Sequence, residues 1–142
     1  MRAGELVRLA GLILAAAACG TQKDLPTAPD GGTPDPTATL SRLQAEIFSP
    51  TCARAGCHAS AAPQNGLDLS PGRTFGSVVG VRSVQRGDLN RVEPFQPDAS
   101  YLVKKVRGDA DITGARMPQG GALTADEIRL IVDWVRRGAP ND

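Results

Sequence analysis

The chain has 142 residues, with 16 lysines and arginines against 15 aspartates and glutamates and a net charge of +1. That is room for one domain, and a charge this even, with no basic face or run, argues against nucleic acid as a partner. Aromatic residues make up only 4% of the chain against 16 glycines and 11 prolines, so side chains alone build a thin core and a domain of this size usually needs a staple.

Residues 1–19 read as an export signal. Arg2 and Arg8 make a positive start, and Leu9 to Ala18 is an apolar run too short to span a bilayer, ending in small residues. Ala16-Ala17-Ala18-Cys19-Gly20 resembles a bacterial lipoprotein cleavage box, with Ala16 where leucine is usual. The resemblance implies that Cys19 becomes the lipidated first residue of the mature protein and holds it to a membrane. Gly20 stands where an aspartate would retain the protein at the inner membrane, so in a Gram-negative host the outer membrane is favoured, with the domain on the periplasmic side of the envelope. An ordinary secretory signal cleaved among the alanines is the alternative, and it exports the chain equally. Residues 20–38, with Pro26, Pro29, Pro34, Pro36, Gly31 and Gly32, have nothing large to bury and read as a tether.

The folded domain is expected over 39–142 and to be all-α, with three to five short helices and long loops. Thr39, or Ser41 together with Gln44, can cap a first helix whose apolar face is Leu40, Leu43, Ile47 and Phe48, and Pro50 is expected to stop it. Directly afterwards comes Cys52-Ala53-Arg54-Ala55-Gly56-Cys57-His58, two cysteines followed by the only histidine of the chain. This order matches covalent haem attachment. Two thiols add across two vinyl groups of the porphyrin, and the imidazole next to the second thiol is held beneath the iron. The usual spacing has two residues between the cysteines. The four found here need a bulge, for which Gly56 supplies the backbone freedom. A disulfide between Cys52 and Cys57 is the plainer alternative in an oxidising compartment, though it leaves His58 unexplained. A zinc site would want four Cys or His ligands where the exported domain offers three.

Past His58, Ser70 as cap and Pro71 at the first helical position predict a short helix carrying Phe75, Val78 and Val79, closed by Gly80. Those apolar residues are candidates for a haem edge or for ordinary core. Residues 81–97 read as a long irregular connection, in which Arg82, Arg86 and Arg91 are candidates for pairing with carboxylates such as haem propionates. Asp98 is expected to cap a helix through Tyr101, Leu102, Val103 and Val106, with Lys104, Lys105 and Arg107 near its C-terminal end and Gly108 as its stop. The last helix opens with Thr124 and Glu127 as a capping box. It presents Ile128, Ile131, Val132 and Val135 on one face and Arg129, Asp133 and Arg136 outward, and ends at Gly138 and Pro140. Between these helices lies Arg116-Met117-Pro118-Gln119-Gly120-Gly121. Met1 leaves with the signal, so Met117 is the only methionine of the mature chain, 59 residues after His58.

From Ile47 to Asp142 the pattern resembles bacterial c-type cytochrome domains of the planctomycete type. The motifs that carry this are Cys52 to His58, Gly66-Leu67-Asp68-Leu69-Ser70, Asp98 to Lys105, Arg116 to Gly121, and Trp134-Val135 with Gly138-Ala139-Pro140. Phe95 departs from the glycine more usual in that family. The resemblance implies a small cytochrome c-like fold around one covalent haem c, thioethers at Cys52 and Cys57, and His58 and Met117 as axial iron ligands. It further implies first and last helices crossing through Leu43, Ile47, Ile131 and Val135, with Trp134 alongside. The function it implies is electron transfer to an unknown redox partner protein, not enzyme catalysis. A haem-based sensor or enzyme with a labile sixth ligand, and a disulfide-stapled exported binding module without haem, are the alternatives.

Overall fold

The structure, a computed structural model, describes residues 32–59 and 61–142. The expected export signal, Cys19 and most of the expected tether lie outside the described residues. Among the described residues the protein is all-α, with four α-helices, a wider helical stretch, two single turns of 3-10 helix and only isolated β-bridges. No helix among them is long and apolar enough to cross a membrane.

Helix α1 (Leu40–Leu43) is capped by Thr39, whose hydroxyl accepts from the Arg42 amide at 3.1 Å. Gln44, the other capping candidate, is used elsewhere: its amide donates to the Leu69 carbonyl and accepts from the Thr74 hydroxyl, pinning the next helix to the first. The chain does not stop at Pro50 as expected. It continues from Gln44 to Cys52 as a wider helix whose bonds reach back five residues, as the Ala53 amide does to the Phe48 carbonyl at 2.7 Å. In an α-helix the proline ring would collide with the carbonyl four residues earlier. The wider winding removes that register and carries the helix up to the first cysteine.

Helix α2 (Thr74–Val78) starts later than Ser70 and Pro71 suggest. Those two residues form a turn instead, and Gly72 in the left-handed region (φ 75°) separates it from the helix. Val78 is fully buried, with Phe75 and Val79 packed beside it. The stretch from 81 to 97 is more ordered than its composition suggests. It doubles back so that Val79 pairs with Val92 and Arg82 with Asn90, and the Gly80 and Arg91 amides bond to the Val92 and Val81 carbonyls. Phe95 at its far end adopts a left-handed φ of 66°, a conformation easier for glycine, and its ring lies over Gly138.

Helix α3 (Tyr101–Arg107) is not capped by Asp98. Its first free amides, Tyr101 and Leu102, donate to the carbonyls of Asn90 and Arg91, so main chain from the doubled-back loop does the capping. Asp98 instead pairs with Arg107 at 2.6 Å. Gly108 ends the helix at φ 78°. Helix α4 (Ala125–Arg136) has the full capping box of Thr124 and Glu127. Its outward face is narrower than expected, because Asp133 is buried and pairs with Arg136.

Helix α4 packs on α1 and α3. Leu43, Ile47, Ile131, Trp134 and Val135 are all fully buried in one cluster, and the Trp134 indole donates to the Pro140 carbonyl at 2.9 Å. The two ends of the domain are tied by the Asp142 carbonyl and carboxylate, which accept from the Ser41 and Leu40 amides. Leu43→Ala, which empties a fully buried site between α1 and α4, is expected to cost about 2–5 kcal/mol. Arg129→Ala on the exposed face should stay within about 0.5 kcal/mol. Urea titration reads both as shifts in midpoint, with the slope unchanged for each.

Candidate functional site

Three of the four expected site residues meet at one cleft. Cys52, His58 and Met117 line a space of about 680 Å³, its open mouth included. The enclosed part of that space is only about 80 Å³, below the roughly 300–1,000 Å³ usual for small-molecule and cofactor sites. The wall is mostly apolar, formed by Phe48, Leu67, Leu102, Val106, Leu123 and Ile131.

Local backbone bonds explain the placement. The wide helix ends at Cys52, whose carbonyl accepts from both the Arg54 amide (2.9 Å) and the His58 amide (3.2 Å). The residues between the cysteines therefore form a closed loop that returns His58 next to Cys52. Gly56 at φ 79° makes the bend, and a side chain there would be strained even though space is open. The His58 carbonyl accepts from the Leu69 amide at 2.8 Å, which binds the Gly-Leu-Asp-Leu segment to the histidine. Met117 is held from α3, its amide donating to the Lys105 carbonyl at 2.9 Å.

The fourth residue, Cys57, is exposed on the loop and does not line the cleft. Both cysteines are free thiols. Burial pushes the Cys52 thiol up from 9.0 to about 11, with the Glu127 carboxylate and Cys57 adding to it. At neutral pH Cys52 is therefore protonated.

His58 is held as a neutral imidazole, because burial lowers its pKa more than the nearby backbone of Leu67 and Gln64 raises it, and Arg91 and Lys105 lower it further. Its Nδ1 is buried without a hydrogen-bond partner. An orphaned nitrogen on a neutral ring, in an apolar cleft that a thioether also lines, fits an iron that takes one nitrogen and one sulfur ligand. Among the described residues no three His, Cys, Asp or Glu side chains are grouped to hold a metal ion, so the donor set does not suit zinc.

Of the three arginines singled out in the sequence, only Arg91 lines the cleft. It is 9% exposed, and its guanidinium donates to the carbonyls of Asn65, Gly66 and Ser77. Arg82 bonds to the Asp88 carbonyl, and Arg86 pairs with Asp88 and Asp111 on the surface. Phe75, Val78 and Val79 pack in the core and not along the cleft. Tyr101 and Lys105 are lining residues that sequence reasoning missed. The signal was present, since Lys105 lies four residues after Tyr101 and three after Leu102, on the face that also holds Val106. Reading it as a cation drawn to the helix end hid this.

The chain matches no protein-family model, no curated protein and no solved structure.

The burial difference between the cysteines predicts their reactivity. In Cys19→Ser chain purified without haem, iodoacetamide at neutral pH should consume Cys57 first and leave Cys52 largely intact. Cys52 should become reactive as pH rises from 9.0 toward about 11. The fold favours the protonated form, so this contribution to stability is whole below the ordinary thiol value and is lost as pH rises through the folded one. Peptide mass mapping of the alkylated sites checks the order, and equal rates at neutral pH would contradict the burial of Cys52.

Proposed function

We propose that this protein is an exported monohaem electron carrier with a cytochrome c-like fold. The single observation that carries the reading is the convergence of Cys52 and His58 with Met117, from a distant part of the chain, on one apolar cleft. When bound, the haem supplies a one-electron couple between ferric and ferrous iron.

The rest of the work falls to the chain. Cys52 and Cys57 provide the two thiols for covalent attachment. Cys57, already exposed, is the one open to reaction from solvent, and its side chain has to turn toward the cleft for the second thioether to form. His58 offers an imidazole that burial holds neutral, so no charge has to be lost before it can donate. Met117 offers a soft thioether that favours the reduced metal and raises its potential. The apolar walls keep water from the metal, and tying both ligand-bearing loops to the helices keeps ligand motion on a change of oxidation state small. No general base or nucleophile enters this function.

Export and a lipid anchor at Cys19 belong to the same reading, because haem is attached to such proteins outside the bacterial cytoplasm. The residues between Cys19 and Asp35 would then tether the domain on the periplasmic side of the outer membrane, within reach of a redox partner protein, Ala38 being already part of the core.

After export in a strain able to mature cytochromes c, a denaturing gel stained for haem peroxidase should show a band at the protein's mass, and a colourless band would refute the reading. Met117→Ala should keep that band while abolishing the weak far-red absorption of sulfur-bound ferric haem. It should also lower the reduction potential and open the iron to carbon monoxide. Ready carbon monoxide binding by the unaltered protein would favour a sensor or enzyme instead.

Cys19→Ser should move the protein from the membrane fraction to the soluble one. Unchanged fractionation, with a mature N-terminus elsewhere, would favour an ordinary secretory signal.

A further inference from the structure

The cleft contains a buried cation that electron transfer does not by itself require. Lys105 is 8% exposed and lines the cleft together with Met117. Its neighbour Lys104 pairs with the carboxylates of Asp109 and Asp111, as surface lysines commonly do. Lys105 instead donates from Nζ to two main-chain carbonyls, Thr113 at 2.9 Å and Ala115 at 2.6 Å. Its own carbonyl accepts from the Met117 amide at 2.9 Å.

One residue of α3 therefore holds the loop at 113, 115 and 117, through its side chain at the first two positions and its main chain at the third. An ammonium group taken out of water is costly unless its hydrogens are satisfied. Here the carbonyls that satisfy it belong to the loop, so the charge and the loop conformation require each other. Two further ties hold the loop at single points: Arg116 donates from Nε to the Val106 carbonyl, and the Thr113 amide donates to the Tyr101 hydroxyl. Exposed residues at 113, 114 and 115 contribute no apolar packing to fix the loop.

We propose that Lys105 is a positioning residue that holds the 113–117 loop against α3 and thereby keeps the Met117 sulfur at the cleft. This rests on the assignment of Met117 as an iron ligand. The loop would otherwise sample conformations with the thioether withdrawn, and the sixth position would be open part of the time.

The test compares the full exported chain with Lys105→Met, which keeps the apolar stem and removes the donors, and with Lys105→Gln, which keeps a shorter donor. Hydrogen exchange followed by mass spectrometry should show amides of 109–117 exchanging about tenfold faster or more in Lys105→Met, while those of α4 are unchanged. Lys105→Gln should fall between. In the same preparations covalent haem should be retained, the far-red absorption weakened, and cyanide binding accelerated. Unchanged loop exchange would overturn the proposal. So would equal acceleration in α4, or the failure of both variants to fold, since either makes Lys105 a residue of general stability. A wild-type protein without haem would refute the electron-carrier reading separately, because loop exchange reports on Lys105 with or without the cofactor.

Discussion

The fold and the cleft share walls. Phe48 and Ile131 belong to the central cluster with Leu43, Trp134 and Val135, and the same two side chains line the cleft that holds Cys52, His58 and Met117. Close packing leaves little slack in such an arrangement. Anything that moves α1 and its wider continuation against α4 therefore moves the first cysteine relative to the rest of the site. The wide winding through Pro50 is part of this constraint, because it lets one uninterrupted helix bury Ile47 and Phe48 and still deliver Cys52 at its end.

A second constraint is electrostatic. Arg91 and Lys105 both reach the cleft, and both have their hydrogen-bonding groups directed at backbone carbonyls. Arg91 gathers the loop after His58 and joins it to the end of α2 through Ser77. Lys105 gathers the loop before Met117. Each buried cation thus fixes one side of the cleft, at a desolvation cost that the carbonyl dipoles offset. Burial also lowers the Arg91 pKa, and the two positive charges help keep the His58 ring neutral. Neutrality is what a nitrogen ligand would need, so the groups that shape the loops also suit the proposed role of His58.

The glycine and proline content that makes the core thin serves the same architecture. Helices as short as α2 and α3 are marginal on their own and depend on tertiary packing. In this protein much of that packing is provided by loops that return to helix ends: residues 90–91 cap α3, and Asp142 receives the first amides of α1. A large apolar group in the cleft would add contact area where side chains are few, which is the physical sense in which a haem would complete the core.

The local chemistry of the chain was sufficient to determine where most helices lie and which faces they bury. The capping box at Thr124 and Glu127, the stop at Gly108 and the stripe from Ile128 to Val135 act over a few residues, and the structure has each of them. The candidate site was legible as residue types, because two cysteines beside a lone histidine and a sole methionine in a Gly/Pro loop are unusual in any sequence. Their meeting at one cleft was not, since it depends on how α3, α4 and the wider helix pack across long separations. Other features were decided only by tertiary contact. Pro50 was passed by a change of winding, Asp98 lost the cap to carbonyls from a loop earlier in the chain, and Asp133 was buried by the packing of α4. Lys105 turned inward because its helix face, and not its charge, was what the packing selected. Local signals could not settle these, because each depends on a partner brought close by the fold and not by the chain.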